Sequence, residues 1–406
     1  MNPSGWKYGI ILVVSIEGLN MVENKGTRTH LDRLYLSGFK SISVDRPMNL
    51  ELGRINILLG ANGSGKSNLL SVVPFLNAMN NGALQQYVAM QGAQALLHCG
   101  PQKTSSIIIR LDFSDPSGNC SSYNLSLKYG LPSRLYIADE HVAWIAANGK
   151  GKREYAIYSD SNESGLRQYI GDYGAEMAFR GMTSIYVYQF NNTAIGAPIR
   201  IMSGIYDCAV LRSDGGNLAA YLRQLKVVDE YRPYYERIVA FVRSVVPQFG
   251  DFRLDEVNNG SVWLTWQDRS NPSYVYGPQQ LSDGSIRFIA LAAALLSPPK
   301  LMPGLVFLDE PELGLHPHAI DKLAGMVKIA SVNSQVVVAT QAPRLVDGFE
   351  VDQVRLLDVD RLTGGTIVSS PDSDALGAWI GRYSTSEMWD RNILNAYSST
   401  AIGGSL

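Results

Sequence analysis

Residues 55–70 constrain this chain more than any other stretch. An apolar run, Ile57-Leu58-Leu59, enters Gly60-Ala61-Asn62-Gly63-Ser64-Gly65-Lys66-Ser67, and helix-favouring sequence follows from Ser67 to Met79. Strand, G-x-x-x-x-G-K-S and helix in that order form a phosphate-binding loop. Glycines at 60, 63 and 65 let backbone N–H groups turn inward towards phosphate oxygens, and Asn62 and Ser64 lie between them. The helix that opens near Gly65 aims its positive end at the same place, with Asn68 in its first turn. Lys66 reaches the β- and γ-phosphates, and Ser67 offers a hydroxyl to Mg²⁺. ATP and Mg²⁺ are therefore the expected ligands.

The second half of the chain returns to the same chemistry. Residues 304–308 read as a buried strand ending in Asp309-Glu310, and residues 335–339 as another ending in Thr340-Gln341. A helix over 319–330 lies between them. Strand, helix, strand with unbroken apolar runs means parallel strands covered on both faces. Asp309 would hold Mg²⁺ opposite Ser67, and Glu310 would polarise a water that attacks the γ-phosphorus. Leu281-Ser282-Asp283-Gly284-Ser285 precedes an apolar helix over 286–296. Ser282 or Asp283 caps that helix, and Gly284 lets backbone come close. A second helix start of this kind suits a dimer that sandwiches ATP between the loop of one copy and the cap of the other.

Between these halves the expected elements are strands at 31–36, 106–113, 123–129, 134–137, 142–145 and 184–190. Helices are expected at 218–228 and 232–246, and a hairpin around Asn258-Asn259-Gly260. No heptad run extends over several repeats, so no long coiled coil is expected. A net charge of −2 advertises no global basic field for nucleic acid. Three widely spaced cysteines give no disulfide framework and suit a reducing, cytoplasmic setting. Residues 8–16 are apolar but too short to span a bilayer, and no small-residue cleavage site follows. They read as an extra packing segment or as an over-long start, with Met21 as the natural initiator. No membrane association is expected.

GANGSGKS, LSDGS, LVFLDEPELGLHP and VVVATQ, in that order, resemble ABC-type ATPases of the RecF/SMC/OLD-like class. The likeness is nearest to stand-alone bacterial ATPases of that class and extends over about residues 31–394. Its further landmarks include Gly38-Phe39-Lys40-Ser41-Ile42, Tyr188-Gln189-Phe190 with Thr193, and Leu376 to Trp389. The resemblance implies an α/β P-loop NTPase of ABC-head type, a mixed sheet flanked by helices with a β-rich and helical insertion. The expected division is an N-terminal extension (1–30), a first head lobe (31–104), the insertion or arm (105–270) and a second head lobe (271–406).

It also implies residue roles. Glu310 is the general base. Ser282, Gly284 and Ser285 are the signature that touches the partner copy's γ-phosphate. Gln91 senses Mg²⁺ and the attacking water, with Gln94 as the rival. Gln341 stands where many relatives carry His and can hydrogen-bond the γ-phosphate without titrating near neutral pH. Lys40 reaches the nucleotide. His316-Pro317 belongs to the segment after Asp309-Glu310 rather than to a metal site.

The class implies an ATP-dependent dimerising switch, as a homodimer or higher oligomer. It is associated with defence against phage through a separately encoded effector, often a Toprim-like nuclease. A RecF-like DNA-binding repair ATPase is the alternative, with DNA as the partner, and a scaffold with vestigial hydrolysis is a third reading. The stretch from Ser67 to Ser282 is far longer than a transporter ATPase needs.

Overall fold

The computed structural model describes residues 28–157, 162–257, 260–396 and 398–400. The apolar segment at 8–16 lies outside them, as do Asn258 and Asn259 of the expected hairpin. In chain order, β1 (His30–Ser37), β2 (Met48–Glu51) and β3 (Ile55–Leu59) lead to α1 (Lys66–Leu70), α2 (Val72–Asn80), α3 (Leu84–Gln91) and α4 (Ala93–Leu96). Then come β4 (Ser106–Ser114), β5 (Cys120–Gly130), β6 (Arg134–Ile145), β7 (Lys152–Ala156), α5 (Tyr173–Thr183) and β8 (Ile185–Tyr188). The middle of the chain holds β9 (Ser203–Gly204), α6 (Leu218–Val227), α7 (Arg232–Val245), β10 (Phe249–Arg253), β11 (Glu256–Val257), β12 (Ser261–Val262), β13 (Thr265–Asp268) and β14 (Val275–Tyr276). The last third is α8 (Asp283–Leu295), β15 (Leu305–Asp309), α9 (Pro317–Ser331), β16 (Gln335–Thr340), α10 (Pro343–Val346), β17 (Val354–Val359), β18 (Thr366–Pro371), α11 (Thr385–Asp390), α12 (Ile393–Ala396) and β19 (Ser398–Thr400).

A seven-stranded sheet, ordered β19-β18-β17-β3-β16-β15-β8, runs through the middle. Its strands from β17 to β8 are parallel, and β18 runs antiparallel between β17 and β19. Every residue of β3, β15 and β16 is buried. That is why these strands read as continuous apolar runs instead of alternating ones. Their alternating side chains feed two separate cores. Ile57, Leu59, Val306, Leu308, Val336 and Val338 join α6 to α9 on one side. Leu58, Leu305, Phe307, Val337 and Ala339 join α1 to α5 and a second sheet on the other. This second sheet is antiparallel, ordered β2-β1-β4-β5-β6-β7.

Four expectations change in detail. The helix expected over 67–79 is interrupted at Ser71, whose hydroxyl donates to the Asn68 carbonyl at 2.6 Å. Pro74 lacks the N–H that would continue the ladder across that turn. The two strands expected at 134–137 and 142–145 are one strand, β6, with a register shift against β5 at Ser126/Leu127. Ala138-Asp139-Glu140-His141 looks like a polar turn, but the shift absorbs one residue and turns Glu140 inward. There the Glu140 carboxylate accepts a hydrogen bond from Tyr123 at 2.7 Å. The hairpin near Gly260 is split into two short ladders, β11 with β12 and β10 with β13. Finally, β4 to β7 complete the sheet opened by β1 and β2, and β8 is an edge of the central sheet. The first half of the expected arm is thus built into the body. Among the described residues no helix is long and apolar enough to cross a membrane.

Candidate nucleotide-binding site

The phosphate loop leaves the end of β3 and enters α1 through Gly65, whose φ of 97° is open to glycine and strained for other residues. A side chain there would also collide with Thr366, since a Cβ would lie 1.9 Å from its Oγ1. Thr366 belongs to β18, and its hydroxyl donates to the Ser64 carbonyl at 3.0 Å. Its backbone N–H donates to the Ser41 carbonyl at 2.7 Å. Two distant segments therefore brace the loop from outside. Lys66 is 5% exposed and donates to the carbonyls of Gly60 (2.6 Å) and Ala61 (3.0 Å). Burial lowers the Lys66 pKa, while the carboxylates of Glu310, Asp309 and Glu312 pull it the other way.

Those carboxylates come from the end of β15, which lies between β16 and β8. Asp309 is 9% exposed. Its Oδ2 accepts a hydrogen bond from Gln189 Nε2 at 3.1 Å, whereas its buried Oδ1 has no partner. Burial, then the neighbouring Glu310, raise its pKa above the ordinary carboxylate value. Glu310 has a φ of 45°, uncommon for a residue with a side chain, and its N–H donates to the Ala339 carbonyl at 2.9 Å. Glu312 is buried, and its Oε1 accepts the Thr340 hydroxyl at 2.6 Å. Gln341 follows Thr340 at the end of β16 and is partly exposed.

Ser282, rather than Asp283, caps α8: its hydroxyl accepts the Ser285 N–H at 3.1 Å and lies 2.8 Å from the Ser285 hydroxyl. Asp283 turns aside to Arg200, with an N–O distance of 2.8 Å, and its pKa is held below the usual value mainly by that bond. Gly284 faces the Gly314 carbonyl so closely that a Cβ would lie 2.4 Å from the oxygen. Two buried arginines tie this cap to the chain that follows Gln189. Arg287 donates to the carbonyls of Phe190 (3.0 Å) and Asn191 (3.1 Å). Arg200 donates to the carbonyls of Thr193 (2.6 Å) and Leu281 (3.1 Å).

The structure does not give Gln91 the Asp309 contact. Gln91 ends α3 and lines a cleft of about 460 Å³ with Lys40, Ser41, Asn68, His98 and Cys99. The rival Gln94 donates to the Tyr129 hydroxyl at 3.3 Å. The glutamine on Asp309 is Gln189. Strand β8 pairs with β15 in parallel, with Tyr188 level with Leu308, so the next residue of each strand meets its counterpart. The signal was available as a short apolar strand ending in Gln, but its partner strand was not. Lys40 and Asn68 share the cleft with Gln91, beside α1. His316 caps α9, its Nδ1 accepting the His318 N–H at 3.3 Å.

The residues present fit Mg²⁺, a hard cation that takes oxygen ligands. The unpartnered buried oxygen of Asp309 is such a ligand, and the Ser67 hydroxyl is exposed at the first turn of α1.

Comparison with known proteins bears on the fold. The family described as "AAA domain, putative AbiEii toxin, Type IV TA system" matches residues 247–347, which include the Ser282 cap, Asp309, Glu310 and Gln341. The SMC head bound to the C-winged helix domain of ScpA superposes with a TM-score of 0.52 at 16% identity, over 85% of this chain and 99% of that one. An SMC head with an extended coiled coil, bound to the C-terminal domain of ScpA derived from Pyrococcus furiosus, gives 0.51 at 15% identity, over 87% and 99%. No curated protein sequence matches the chain. The chain has the α/β fold of these SMC heads.

Proposed function

We propose that the chain binds and hydrolyses Mg·ATP and uses the cycle to close and open a pair of heads. The observation that carries this reading is the buried, unpartnered Oδ1 of Asp309, set among the phosphate-loop lysine, Gln189 and Glu310. Ser67 and Asp309 would hold Mg²⁺, which neutralises charge between the β- and γ-phosphates when bound. The backbone N–H groups of residues 60–67 and the Lys66 ammonium bind the phosphates. Gln189 orients the Asp309 carboxylate. Glu310, which has a φ of 45°, takes the proton from the attacking water. Gln341 reaches the γ-phosphate with its amide.

The Ser282 and Ser285 hydroxyls and the N-terminus of α8 belong to the same reading. They supply a second set of donors for a γ-phosphate held by another copy, and Ser282 is exposed for that contact. ATP then clamps two heads, and hydrolysis releases them.

The biological setting we favour is the ATPase or sensor subunit of a bacterial anti-phage system that controls a separately encoded effector, such as a Toprim-like nuclease. Support comes from the toxin–antitoxin description of the matched family, and from SMC heads whose structures contain a bound protein partner.

The test is the solution mass of Glu310→Gln with and without ATP, together with what it retains from its host. ATP-dependent doubling of mass with a co-purifying protein is expected. An unchanged mass and no retained protein would sink the switch and move ATP-dependent DNA binding ahead.

A further inference from the structure

We infer that Glu312 is a positioning residue for hydrolysis, one that holds the Thr340–Gln341 turn against the γ-phosphate. The inference rests on the ATPase reading above.

Glu312 follows Pro311 after β15 and is 7% exposed. A carboxylate at the end of a strand would normally reach water, and burying one is unfavourable unless its bonds serve a purpose. Its hydrogen bond leads to one feature, the turn after β16. Oε1 accepts the hydroxyl of Thr340 at 2.6 Å, and Thr340 is itself fully buried. The same Thr340 oxygen accepts the backbone N–H of Ala342 at 2.9 Å. With that lone pair occupied, the Thr340 proton points to Glu312. Glu312 thus fixes the Thr340 side chain, which in turn holds the Ala342 N–H on the far side of Gln341.

The turn occupies a critical place. Thr340 pairs with Leu59 across β16 and β3, and its carbonyl accepts the N–H of Gly60, the first residue of the phosphate loop, at 3.4 Å. A shift in the Thr340–Ala342 backbone would therefore move Gln341 relative to the phosphates. The second oxygen, Oε2, is buried without a partner. No bond of its own to a cation holds the carboxylate in place, although its charge is felt by Lys66 and Glu310. Holding Gln341 is the role that accounts for a buried carboxylate at this position.

The experiment compares steady-state ATP turnover of the full-length wild type with Glu312→Ala, Glu312→Gln, Thr340→Val and the Glu312→Ala/Thr340→Val pair. Each is first shown to be folded by its thermal melt. Gln keeps the acceptor for Thr340, and Val keeps the shape of Thr without its hydroxyl. We expect Glu312→Ala and Thr340→Val each to lower kcat by about 10–100-fold, the range for partners that orient a reacting group. KM for ATP should stay within about threefold, Glu312→Gln should recover most of kcat, and the pair should be no worse than either single change. Wild-type kcat in Thr340→Val, or a Glu312→Gln as impaired as the alanine variant, overturns the role even if Glu312→Ala does not fold. A rise in KM at constant kcat also overturns it. A wild type without turnover overturns the ATPase reading beneath it, a result distinct from any of these.

Discussion

Gln189 donates its side-chain amide to Asp309 across the junction of two parallel strands, at 3.1 Å, although 120 positions separate them in the sequence. The contact leaves Asp309 with one oxygen engaged and one free. It fixes the plane of the carboxylate, so the free oxygen has a defined direction before any cation arrives. Outer partners of this kind tune a ligand without touching the metal.

Gln189→Ala should therefore weaken Mg²⁺-dependent ATP hydrolysis by about 10–100-fold. ATP affinity measured without Mg²⁺ should be little changed, because the phosphate loop is untouched. Gln91→Ala should leave turnover within about twofold, as expected of a surface change away from the reacting groups. Activity assays over a Mg²⁺ series separate the two. Equal losses in both variants would return Gln91 to the site.

The contrast between these glutamines shows what a sequence can and cannot disclose. The strand, loop and helix around Lys66 were legible because their signal is local, contained within residues 55–70. The central strands were legible because burial on both faces writes an unbroken apolar run. The cap at Ser282 was legible within one residue, since Ser and Asp both favour that position. Gln189 was hidden because its role depends on which strand lies beside β15, and strand order is not written in either strand. Glu312 was hidden for a different reason. A Glu two residues past Glu310 looks solvated until the fold closes Thr340 over it. Thr366 braces Ser64 from 302 positions away, in a strand with no motif of its own.

Asp309 gives the site a measurable dependence on pH. Burial and then Glu310 raise its pKa in the folded chain, outweighing the Gln189 bond and the attraction of Lys66. Glu312, the other buried carboxylate here, is shifted the same way by burial. A raised folded pKa means the native state holds more protons than the unfolded one, so stability declines as pH rises. The contribution is fully present below the ordinary carboxylate value and is lost once pH passes the raised folded value. Asn at 309 keeps an oxygen for Gln189 and carries no charge. In nucleotide- and Mg²⁺-free protein, Asp309→Asn should melt higher than wild type near neutral pH, by about 0.5–2 kcal/mol of stability, the usual gain from relieving a functional residue. The gap should narrow as pH falls through the acidic range. Melts of both proteins across that range test it, and parallel curves would remove the charge argument.

Arg287 joins the cap on α8 to the chain just beyond Gln189. It is 4% exposed and bonds the carbonyls of Phe190 and Asn191, and a Cβ at Gly314 would lie 3.0 Å from its Nη1. The position of Gln189 and the start of α8 therefore share one rigid link. Arg287→Met keeps the length and apolar stem but leaves both carbonyls without that donor. We expect a loss of about 1–3 kcal/mol from the buried Phe190 carbonyl left unpaired, and less from that of the exposed Asn191. Nucleotide affinity of the single head should hold, because Lys66 and the loop glycines lie elsewhere. ATP-dependent dimerisation in the Glu310→Gln background should fall sharply, because the cap no longer keeps its place relative to the metal side of the site. Thermal melts, nucleotide titration and solution mass on the same variant read the three effects separately. Retained dimerisation in a variant that has lost stability would confine Arg287 to packing and free the cap from any link to Gln189.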